Sequence, residues 1–304
     1  MTTPRTTPPR TTPPRTTPPT STDRRGPVLF ASDLDRTLVY SAAALHLTGP
    51  DAEAPRLLSV EVYRSAPLSY LTETAAVTLA DLAVLPPDEA RFVPVTTRTP
   101  EQYRRMRLPG PAPELAVCAN GGRLLVHGEP DAQWDAKVAD RLASDCAPLA
   151  EVRERLRATA DAAWLRKERV AEDLFCYLVV DRDRFPAAWA EDLAGWAGER
   201  GWTVSVQGRK VYAVPRPLTK SAALAEVVRR TGAARVLAAG DSLLDADLLA
   251  FADRGWRPGH GELADTGWQA PHVTALTTRG VRAGEEILTA ALADIRDHHG
   301  AGPR

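Results

Sequence analysis

Cysteine is scarce in this sequence, and the few cysteines are far apart. The 304 residues contain three, Cys118, Cys146 and Cys176, and no two of them have the C-x-x-C spacing. An odd number with wide spacing argues against a disulfide framework and against a cysteine zinc site. We therefore expect a protein of the reducing cytoplasm.

Long hydrophobic runs and a dominant charge are also missing. No apolar run reaches the roughly 18 residues that span a membrane, and the N-terminus lacks the apolar segment of a secretory signal. The formal net charge is −1, which gives no overall field that would favour nucleic acid or acidic lipid. We expect neither a membrane nor a nucleic-acid partner, and the composition does not indicate an oligomeric state.

What the sequence does contain is an ordinary globular composition behind a repetitive N-terminal segment. The chain is 44% hydrophobic and 25% charged, and its length suits about two domains or one domain with a large insert. Residues 2–20 repeat Thr-Thr-Pro-Pro-Arg with slight variation, a composition that cannot build a core. We expect residues 1–26 to be a disordered, partly polyproline-II tail, either a solvated tether or a basic ligand for a proline-binding module.

Two aspartates follow the first predicted strand, Val28–Ser32. Asp33 and Asp35 are two residues apart, so both side chains leave the strand end on the same side. The carboxyl ends of parallel strands in an open α/β sheet border a ligand crevice. Paired carboxylates there can bind a hard cation or divide the roles of nucleophile and acid/base, although an Asp-x-Asp after a strand can also be a solvated turn.

Alternating strands and helices predict a parallel sheet. Apolar runs predict further strands at 91–95, 115–119, 235–239 and 272–276, and helical periodicity predicts helices at 72–85, 219–231 and 283–295. This order implies right-handed crossovers and a doubly wound α/β fold. Residues 39–67 are expected to form a long loop with a short hairpin around 59–64.

The pattern changes within residues 128–214, which we interpret as an inserted α+β domain. Helices are predicted at 134–149, 150–163 and 186–200, and strands at 174–180, 202–207 and 210–214. The core would then consist of residues 27–127 and 215–297. We expect residues 298–304 to be a frayed tail, with His298 and His299 as a surface pair.

Several polar side chains that follow strands or open helices would meet in one crevice of such a sheet: Asp33, Asp35, Thr96, Lys220, Asp241 and Asp245. Four carboxylates, a hydroxyl and an ammonium suit phosphoryl transfer, because carboxylates bind Mg²⁺ while the other two groups neutralise phosphoryl oxygens. Each residue alone also has a plainer interpretation, such as a helix cap, a strand-end hydroxyl or a solvated lysine.

Four signatures in a set order give the chain a resemblance to phosphatases of the haloacid dehalogenase-like superfamily. Residues 33–37 match D-x-D-x-T, and residues 240–245 match G-D-S-x-x-D. Between them come Thr96 at a strand end and then Lys220. Together they frame nearly all of the chain outside the N-terminal tail.

The resemblance implies a role for each side chain that handles the phosphoryl group. Asp33 would be the nucleophile that attacks phosphorus and forms an aspartyl-phosphate. Asp35 would protonate the leaving group and then activate water. Thr96 and Lys220 would bind the phosphoryl oxygens, and Thr37 would brace the loop.

The resemblance also implies a Mg²⁺ site. Its ligands would be the carboxylate of Asp33, the backbone carbonyl of Asp35 and the carboxylate of Asp241, with Asp245 as a further ligand or a support for the others.

Two positions depart from the pattern of this superfamily. The second signature often reads T-G-R but here is Thr96-Thr97-Arg98, so either threonine could supply the hydroxyl. Arg36 stands where glycine is common, which reduces the freedom of the loop but leaves both aspartates in place.

The position of the insert, between the second and third signatures, resembles the cap of the sucrose-phosphatase-like and mannosyl-3-phosphoglycerate-phosphatase-like branch. Such a cap closes over the crevice and contacts the leaving group. Four cap cations could touch a substrate or be solvated: Arg166, Lys167, Arg209 and Lys210.

The function expected from these features is Mg²⁺-dependent hydrolysis of a small phosphorylated metabolite, a sugar phosphate above all. A phosphomutase that uses the same aspartyl-phosphate is a second interpretation. A binding module that keeps the fold without turnover is a third.

Overall fold

The structure is a computed structural model that describes residues 26–300. The tail expected at residues 1–26 therefore lies, apart from Gly26, outside the described residues. The strands are β1 (Val28–Ser32), β2 (Leu57–Tyr63), β3 (Ala66–Thr72), β4 (Ala90–Pro94), β5 (Leu115–Cys118), β6 (Arg123–Val126), β7 (Glu129–Pro130), β8 (Leu165–Ala171), β9 (Phe175–Val180), β10 (Trp202–Gln207), β11 (Lys210–Pro215), β12 (Arg235–Ala239), β13 (Arg254–Arg257) and β14 (Val273–Ala275). The α-helices are α1 (Glu73–Ala83), α2 (Pro100–Arg104), α3 (Ala132–Asp145), α4 (Leu149–Thr159), α5 (Ala187–Gly198), α6 (Lys220–Thr231), α7 (Ala246–Phe251), α8 (Glu262–Asp265) and α9 (Val281–Gly300).

A five-stranded parallel sheet forms the centre of the fold, in the order β14-β13-β12-β1-β4. Ser32 at the end of β1 lies opposite Ala239 of β12 on one side and Pro94 of β4 on the other. The carboxyl ends of these three strands therefore meet at one edge of the sheet. The doubly wound α/β core predicted from the sequence is confirmed.

Both faces of the sheet are covered, as the continuous burial of β1 requires. Leu29 and Ala31 pack into one apolar cluster, which includes Leu224 of α6. Val28 and Phe30 point the other way into a second cluster, which is built with helices α1 and α9. Alternate residues of one strand thus join two separate cores.

The segment after the first strand is more regular than predicted. Strands β2 and β3 form an antiparallel hairpin from Leu57 to Thr72, and Tyr40 pairs with Tyr70 beside it. The prediction of a long loop with a short hairpin around 59–64 is therefore wrong about the length of the hairpin. Breakers upstream and the exposed outer face of the hairpin hide the alternation that normally marks strands.

A second sheet, antiparallel and in the order β10-β11-β9-β8, forms the α+β unit predicted as the insert. Its core contains Trp164 and Trp189, whose ring centroids are 4.8 Å apart, and the fully buried Trp202. The helix predicted at 150–163 ends at Thr159, and the strand β8 that follows was not predicted.

Two further predictions near the C-terminus need correction. Strand β13 was not predicted, and α9 continues through His298 and His299 to Gly300, where a frayed end was expected from residue 298. His299 Nε2 donates to the carbonyl of Glu89 at 2.8 Å. Among residues 26–300, no helix is both long enough and apolar enough to cross a membrane.

Candidate active site

The loop after β1 places Asp33 at the carboxyl edge of the sheet. Its amide donates to the carbonyl of Ala239, at 2.9 Å, so the sheet ladder extends to this residue. The loop then turns through hydrogen bonds back to Leu34, and the Thr37 hydroxyl lies 3.4 Å from Asp33 Oδ2. Asp33 is 5% exposed, so its carboxylate faces the interior of the crevice.

The loop after β12 brings two more carboxylates to the same edge. Asp245 Oδ2 accepts hydrogen bonds from the Asp241 amide at 3.1 Å and from the Ser242 amide and hydroxyl at 2.9 and 2.7 Å. A Cβ atom at Gly240 would lie 2.3 Å from the Cβ of Asp245, so only glycine allows this close approach. The turn is thus built around the Asp245 side chain.

Lys220 joins the two loops. Thr219 caps α6 with its hydroxyl, and Lys220 is the first helical residue, with 0% exposure. Its ammonium donates to Asp33 Oδ1 at 2.6 Å and also to Asp245 Oδ1. A fully buried ammonium is tolerable only with such partners.

Three of the carboxylates are close enough to share one cation. One oxygen each from Asp33, Asp241 and Asp245 lies within 4.8 Å of the others. Burial raises the pKa of Asp33 to about 7, although the Lys220 ammonium acts in the opposite direction. Burial, together with the charges of the other two aspartates, also raises the pKa of Asp241 well above its ordinary value.

Arg36, which stands where glycine is common in the superfamily, contacts this cluster. Its φ is +65°, a left-handed conformation, and its Nε donates to Asp241 Oδ2 at 3.2 Å. His260 fixes the turn because its Nδ1 accepts from the Gly280 amide at 3.1 Å, which leaves Nε2 to donate to the Arg36 carbonyl at 2.8 Å. Burial lowers the pKa of His260 to about 4, so the ring is neutral at pH 7.

Asp35 lies beside the cluster and has a different partner. Both of its oxygens accept from Arg98, from Nε at 2.7 Å and from Nη2 at 2.8 Å. Burial alone would raise the pKa of Asp35, but this guanidinium outweighs it and holds the pKa at about 2. The Asp35 side chain is 43% exposed.

Thr96 reaches the same edge through the sheet. Val95 donates to the carbonyl of Ser32 at 2.8 Å, so Thr96 follows directly beside the end of β1. The Thr96 hydroxyl is buried and accepts from the Arg98 amide at 3.1 Å, whereas Thr97 is half-buried. Of the six residues selected from the sequence, Asp33, Asp241, Asp245 and Lys220 are in one cluster, and Asp35 and Thr96 flank it.

The α+β unit faces this cluster across a cavity of about 210 Å³, which Arg36, Asp241, Arg182, Gln207 and Gly208 help to line. Of the four cap cations named above, Arg166 pairs with Asp181 of its own unit. Lys210 instead lies near the site, where its positive charge contributes to the low pKa of Asp35.

Glu262 of α8 ties the α+β unit to the core. It accepts from the Ser205 hydroxyl at 2.7 Å and the Val206 amide at 2.8 Å, both on β10. It also accepts from the Leu243 amide at 3.1 Å, in the loop that carries Asp241 and Asp245. One carboxylate therefore holds the two units together beside the cavity.

The donor set fits a hard divalent cation. All the candidate ligand atoms are oxygens, which Mg²⁺ prefers. Burial, and then the charges of the neighbouring aspartates, raise the pKa values of Asp33 and Asp241, and a bound cation would offset both effects. A Cβ atom at Gly261 would lie 2.5 Å from Asp241 Oδ2, so a larger residue there would displace that carboxylate.

Comparisons with known proteins give a fold but no close relative. No protein-family model and no curated protein matches the sequence. The structure matches sucrose-phosphatase from Synechocystis sp. PCC6803, solved with sucrose and phosphate, with a TM-score of 0.59 and 16% identity over 90% of this chain and 98% of that one. It matches the C-terminal domain of trehalose-6-phosphate phosphatase from C. albicans with a TM-score of 0.57 and 12% identity, over 88% and 93% of the two chains.

A third match is a phosphatase of the haloalkanoate superfamily from Bacteroides thetaiotaomicron, with a TM-score of 0.53 and 11% identity over 92% of this chain and 98% of that one. The fold is therefore that of the haloacid dehalogenase-like phosphatases. Within that class, the structural neighbours include sucrose-phosphatase and trehalose-6-phosphate phosphatase, in agreement with the branch that the signatures and the insert indicated.

Sequence reasoning did not assign a role to three residues that shape the site: Arg98, His260 and Glu262. Arg98 could have been found, because it occupies the third position of the second signature. Nothing in the sequence around His260 or Glu262 marks either as a partner of a residue more than fifty positions away.

Proposed function

We propose that this protein is a Mg²⁺-dependent phosphatase that hydrolyses a small phosphorylated metabolite, a sugar phosphate above all. The observation that supports this most is the contact of Lys220 with both Asp33 and Asp245, next to Asp241. Three of the four signatures, far apart in the sequence, thus meet at the carboxyl edge of a fold shared with known phosphatases.

In the first half of the reaction, an oxygen of Asp33 attacks phosphorus as the bond from phosphorus to the leaving oxygen breaks. Arg98 holds the pKa of Asp35 at about 2 in the free protein, and the negative charge of a bound phosphate would raise it. Asp35 takes part in this step in its protonated form, and its proton moves to the leaving oxygen, so the product departs as a neutral alcohol. Lys220 and Thr96 bind the phosphoryl oxygens and offset their charge. The product of this step is an aspartyl-phosphate on Asp33.

In the second half, Asp35 is a carboxylate and accepts a proton from water as that water attacks phosphorus. The bond between phosphorus and Asp33 breaks, which restores the Asp33 carboxylate and releases inorganic phosphate. The Asp35 carboxyl is then protonated and ready for the next substrate, so protons balance over the cycle.

The ligands that would hold Mg²⁺ are the carboxylates of Asp33 and Asp241 and the backbone carbonyl of Asp35, with Asp245 as a further ligand or a support. When bound, the ion would supply positive charge against the phosphoryl oxygens. Asp245 suits the supporting role well, because Lys220 and Ser242 occupy both of its oxygens.

We further propose that residues 128–214 form a cap that closes over the crevice and contacts the leaving group. A sugar fits a cavity lined by arginine, glutamine and backbone groups, because its hydroxyls need hydrogen-bonding partners. Two structural neighbours are named for phosphatases of sugar phosphates, which supports the same substrate class. The free thiols of Cys118, Cys146 and Cys176 suit the cytoplasm.

The test is phosphate release from a panel of sugar phosphates in the presence of Mg²⁺. The wild type should hydrolyse at least one of them, and Asp33→Asn should be at least about a thousandfold slower, because the amide cannot act as the nucleophile. Asp140→Asn, an exposed aspartate on α3, is the matched control and should keep wild-type activity.

Three results would contradict the proposal in different ways. Activity that survives in Asp33→Asn would rule out this nucleophile. Transfer of phosphate to a second hydroxyl of the substrate, without release to water, would indicate a phosphomutase. A wild type that binds phosphate and Mg²⁺ but turns over no substrate would indicate a binding module.

A further inference from the structure

A buried carboxylate on the β2–β3 hairpin is oriented towards the active site. Glu61 is 2% exposed, and it follows the equally buried Val60. Consecutive residues of a regular strand point to opposite faces, but the pairing register shifts on both sides of Glu61. A β-bulge of this kind redirects a side chain, and here it turns Glu61 inward.

Three donors surround the Glu61 carboxylate. Oε2 accepts from Arg98 Nη1 and from the Ser69 hydroxyl, each at 2.8 Å, and Oε1 accepts from Arg105 Nε at 3.3 Å. The Val60 carbonyl accepts from the Arg107 amide at 2.7 Å, which fixes the hairpin against the segment after α2. Both Glu61 oxygens are therefore satisfied, and the carboxylate has one defined orientation.

Arg98 connects Glu61 to Asp35. Its Nη1 donates to Glu61, while Nε and Nη2 donate to the two oxygens of Asp35 at 2.7 and 2.8 Å. Nη2 also lies 3.2 Å from the Ser69 hydroxyl. A guanidinium is planar. The contacts of Arg98 with Glu61 and Ser69 therefore also fix the plane in which Nε and Nη2 donate to the two oxygens of Asp35. We call this pair of hydrogen bonds to Asp35 the Arg98 fork.

We propose that Glu61 is a positioning residue of the catalytic site: it orients Arg98 and, through Arg98, directs the Asp35 carboxyl at the leaving-group oxygen. This inference rests on the proposed function, in which Asp35 protonates that oxygen. A carboxylate offers about four acceptor positions. The Arg98 fork uses two of them, and the exposed part of Asp35 leaves the others open to a substrate. Glu61 thereby influences catalysis from the hairpin, although it does not touch the reacting atoms.

The test compares Glu61→Gln with the wild type on two substrates. One is an alkyl phosphate, the sugar phosphate that the wild type hydrolyses fastest, and the other is an aryl phosphate, 4-nitrophenyl phosphate. The alkoxide leaving group needs a proton from Asp35, whereas 4-nitrophenolate is stable without one. The ratio kcat/KM includes only the steps up to departure of the leaving group. We expect kcat/KM to fall about tenfold or more on the alkyl phosphate and about twofold or less on the aryl phosphate. The tenfold loss is part of the rate enhancement that general acid catalysis usually contributes.

Two further variants show whether Glu61 acts through Arg98. Arg98→Lys cannot form the fork, so it should show the same selective loss. The double variant should then be no slower on the alkyl phosphate than Arg98→Lys alone, because Glu61 has nothing left to orient. Val62→Ala, the next residue along β2 and 59% exposed, is the control and should match the wild type on both substrates.

Each outcome bears on the proposal. An equal loss on both substrates, no loss on either, or an additive double variant would overturn it. Retained aryl phosphatase activity also shows that Glu61→Gln is folded. If that variant does not fold, Ser69→Ala makes a smaller change in the same contacts and should show a smaller loss with the same selectivity. A wild type that hydrolyses neither substrate would contradict the proposed function, and this role with it.

Discussion

Asp33, Asp241 and Asp245 share a small buried volume with two cations. Lys220 contacts Asp33 and Asp245, and Arg36 contacts Asp241. Three carboxylates against two cations leave an excess of negative charge in a site where burial magnifies its cost. That excess is the physical reason for expecting a bound divalent cation here.

Mg²⁺ should therefore bind more weakly as the pH falls. The pKa of Asp33 is raised to about 7 and that of Asp241 is raised as well, so below pH 7 the metal has to displace protons. We expect the dissociation constant to rise by at least about tenfold for each pH unit below about 7, because each displaced proton contributes a factor of about ten. Calorimetric titration of Mg²⁺ at several pH values measures it, and a constant affinity from about pH 8 to about pH 5 would contradict the proposed ligands.

The chemistry of single residues could be predicted where the residue type itself marks the role. Asp33, Lys220 and Asp241 come directly after strands or at the start of a helix, and their types suit phosphoryl transfer. Partnerships could not be predicted, because they depend on which distant side chains the fold brings together. The Arg98 fork on Asp35 spans 63 positions, and the contact of His260 with Arg36 spans 224.

The turn that carries Arg36 shows how neighbouring elements keep an unfavourable conformation. A left-handed φ costs an L-residue other than glycine about 1 kcal/mol or more. The Arg36 amide donates to Val39 at 2.7 Å, and its carbonyl accepts from His260 at 2.8 Å. The loop between β13 and α8, which carries His260, therefore holds the turn in place beside Asp33.

His260 should make stability depend on pH in a defined window. The folded-state pKa is lowered to about 4 from an ordinary value of 6.5, so between these values the unfolded chain binds the proton and the folded protein does not. The free energy of unfolding should thus decrease as the pH falls from about 6.5 to about 4, by about 3 kcal/mol for this group.

Urea unfolding of the wild type and of His260→Gln isolates this contribution, because other groups titrate in both proteins. We expect the stability difference between them to shrink as the pH is lowered through that window. A difference that stays constant with pH would mean that His260 is not held neutral by the fold.

Elements with a continuous apolar core were predicted well, and exposed or short ones were not. Strands β1 and β12 and helix α6 are close to their predicted bounds because burial dictates their residues. Strand β8 reads Leu-Arg-Lys-Glu-Arg-Val-Ala, and its charged positions at a sheet edge hide the strand pattern. Strand β13 has four residues, too few to show a period.

The site lies between the core and the α+β unit, and the chain passes between these two units twice. The core supplies Asp33, Asp241 and Lys220, and the α+β unit contributes Lys210 and the cavity wall. Glu262 is the contact that joins the units beside that cavity. If the α+β unit is the proposed cap, the separation of the two units would govern access to the cavity between them.

Removal of residues 1–25 should leave catalysis unchanged. Those residues precede Val28 at the amino end of β1, whereas Asp33 follows its carboxyl end. The five strand residues put roughly 15 Å or more between Val28 and Asp33, so the tail is attached at the end of β1 away from the site. We expect kcat and KM of the truncated protein to lie within about twofold of the full chain, measured on the best substrate. A large change in either value would show that the tail takes part in the reaction.

In the proposed mechanism, Asp33 becomes phosphorylated during turnover. The direct measurement is to quench the wild type in acid while it hydrolyses its best substrate, reduce it with borohydride, and map its peptides by mass spectrometry. An aspartyl-phosphate is reduced to homoserine, so we expect homoserine at position 33 and an unmodified residue at position 35. Homoserine at another position, or none in an enzyme that is turning over, would contradict it.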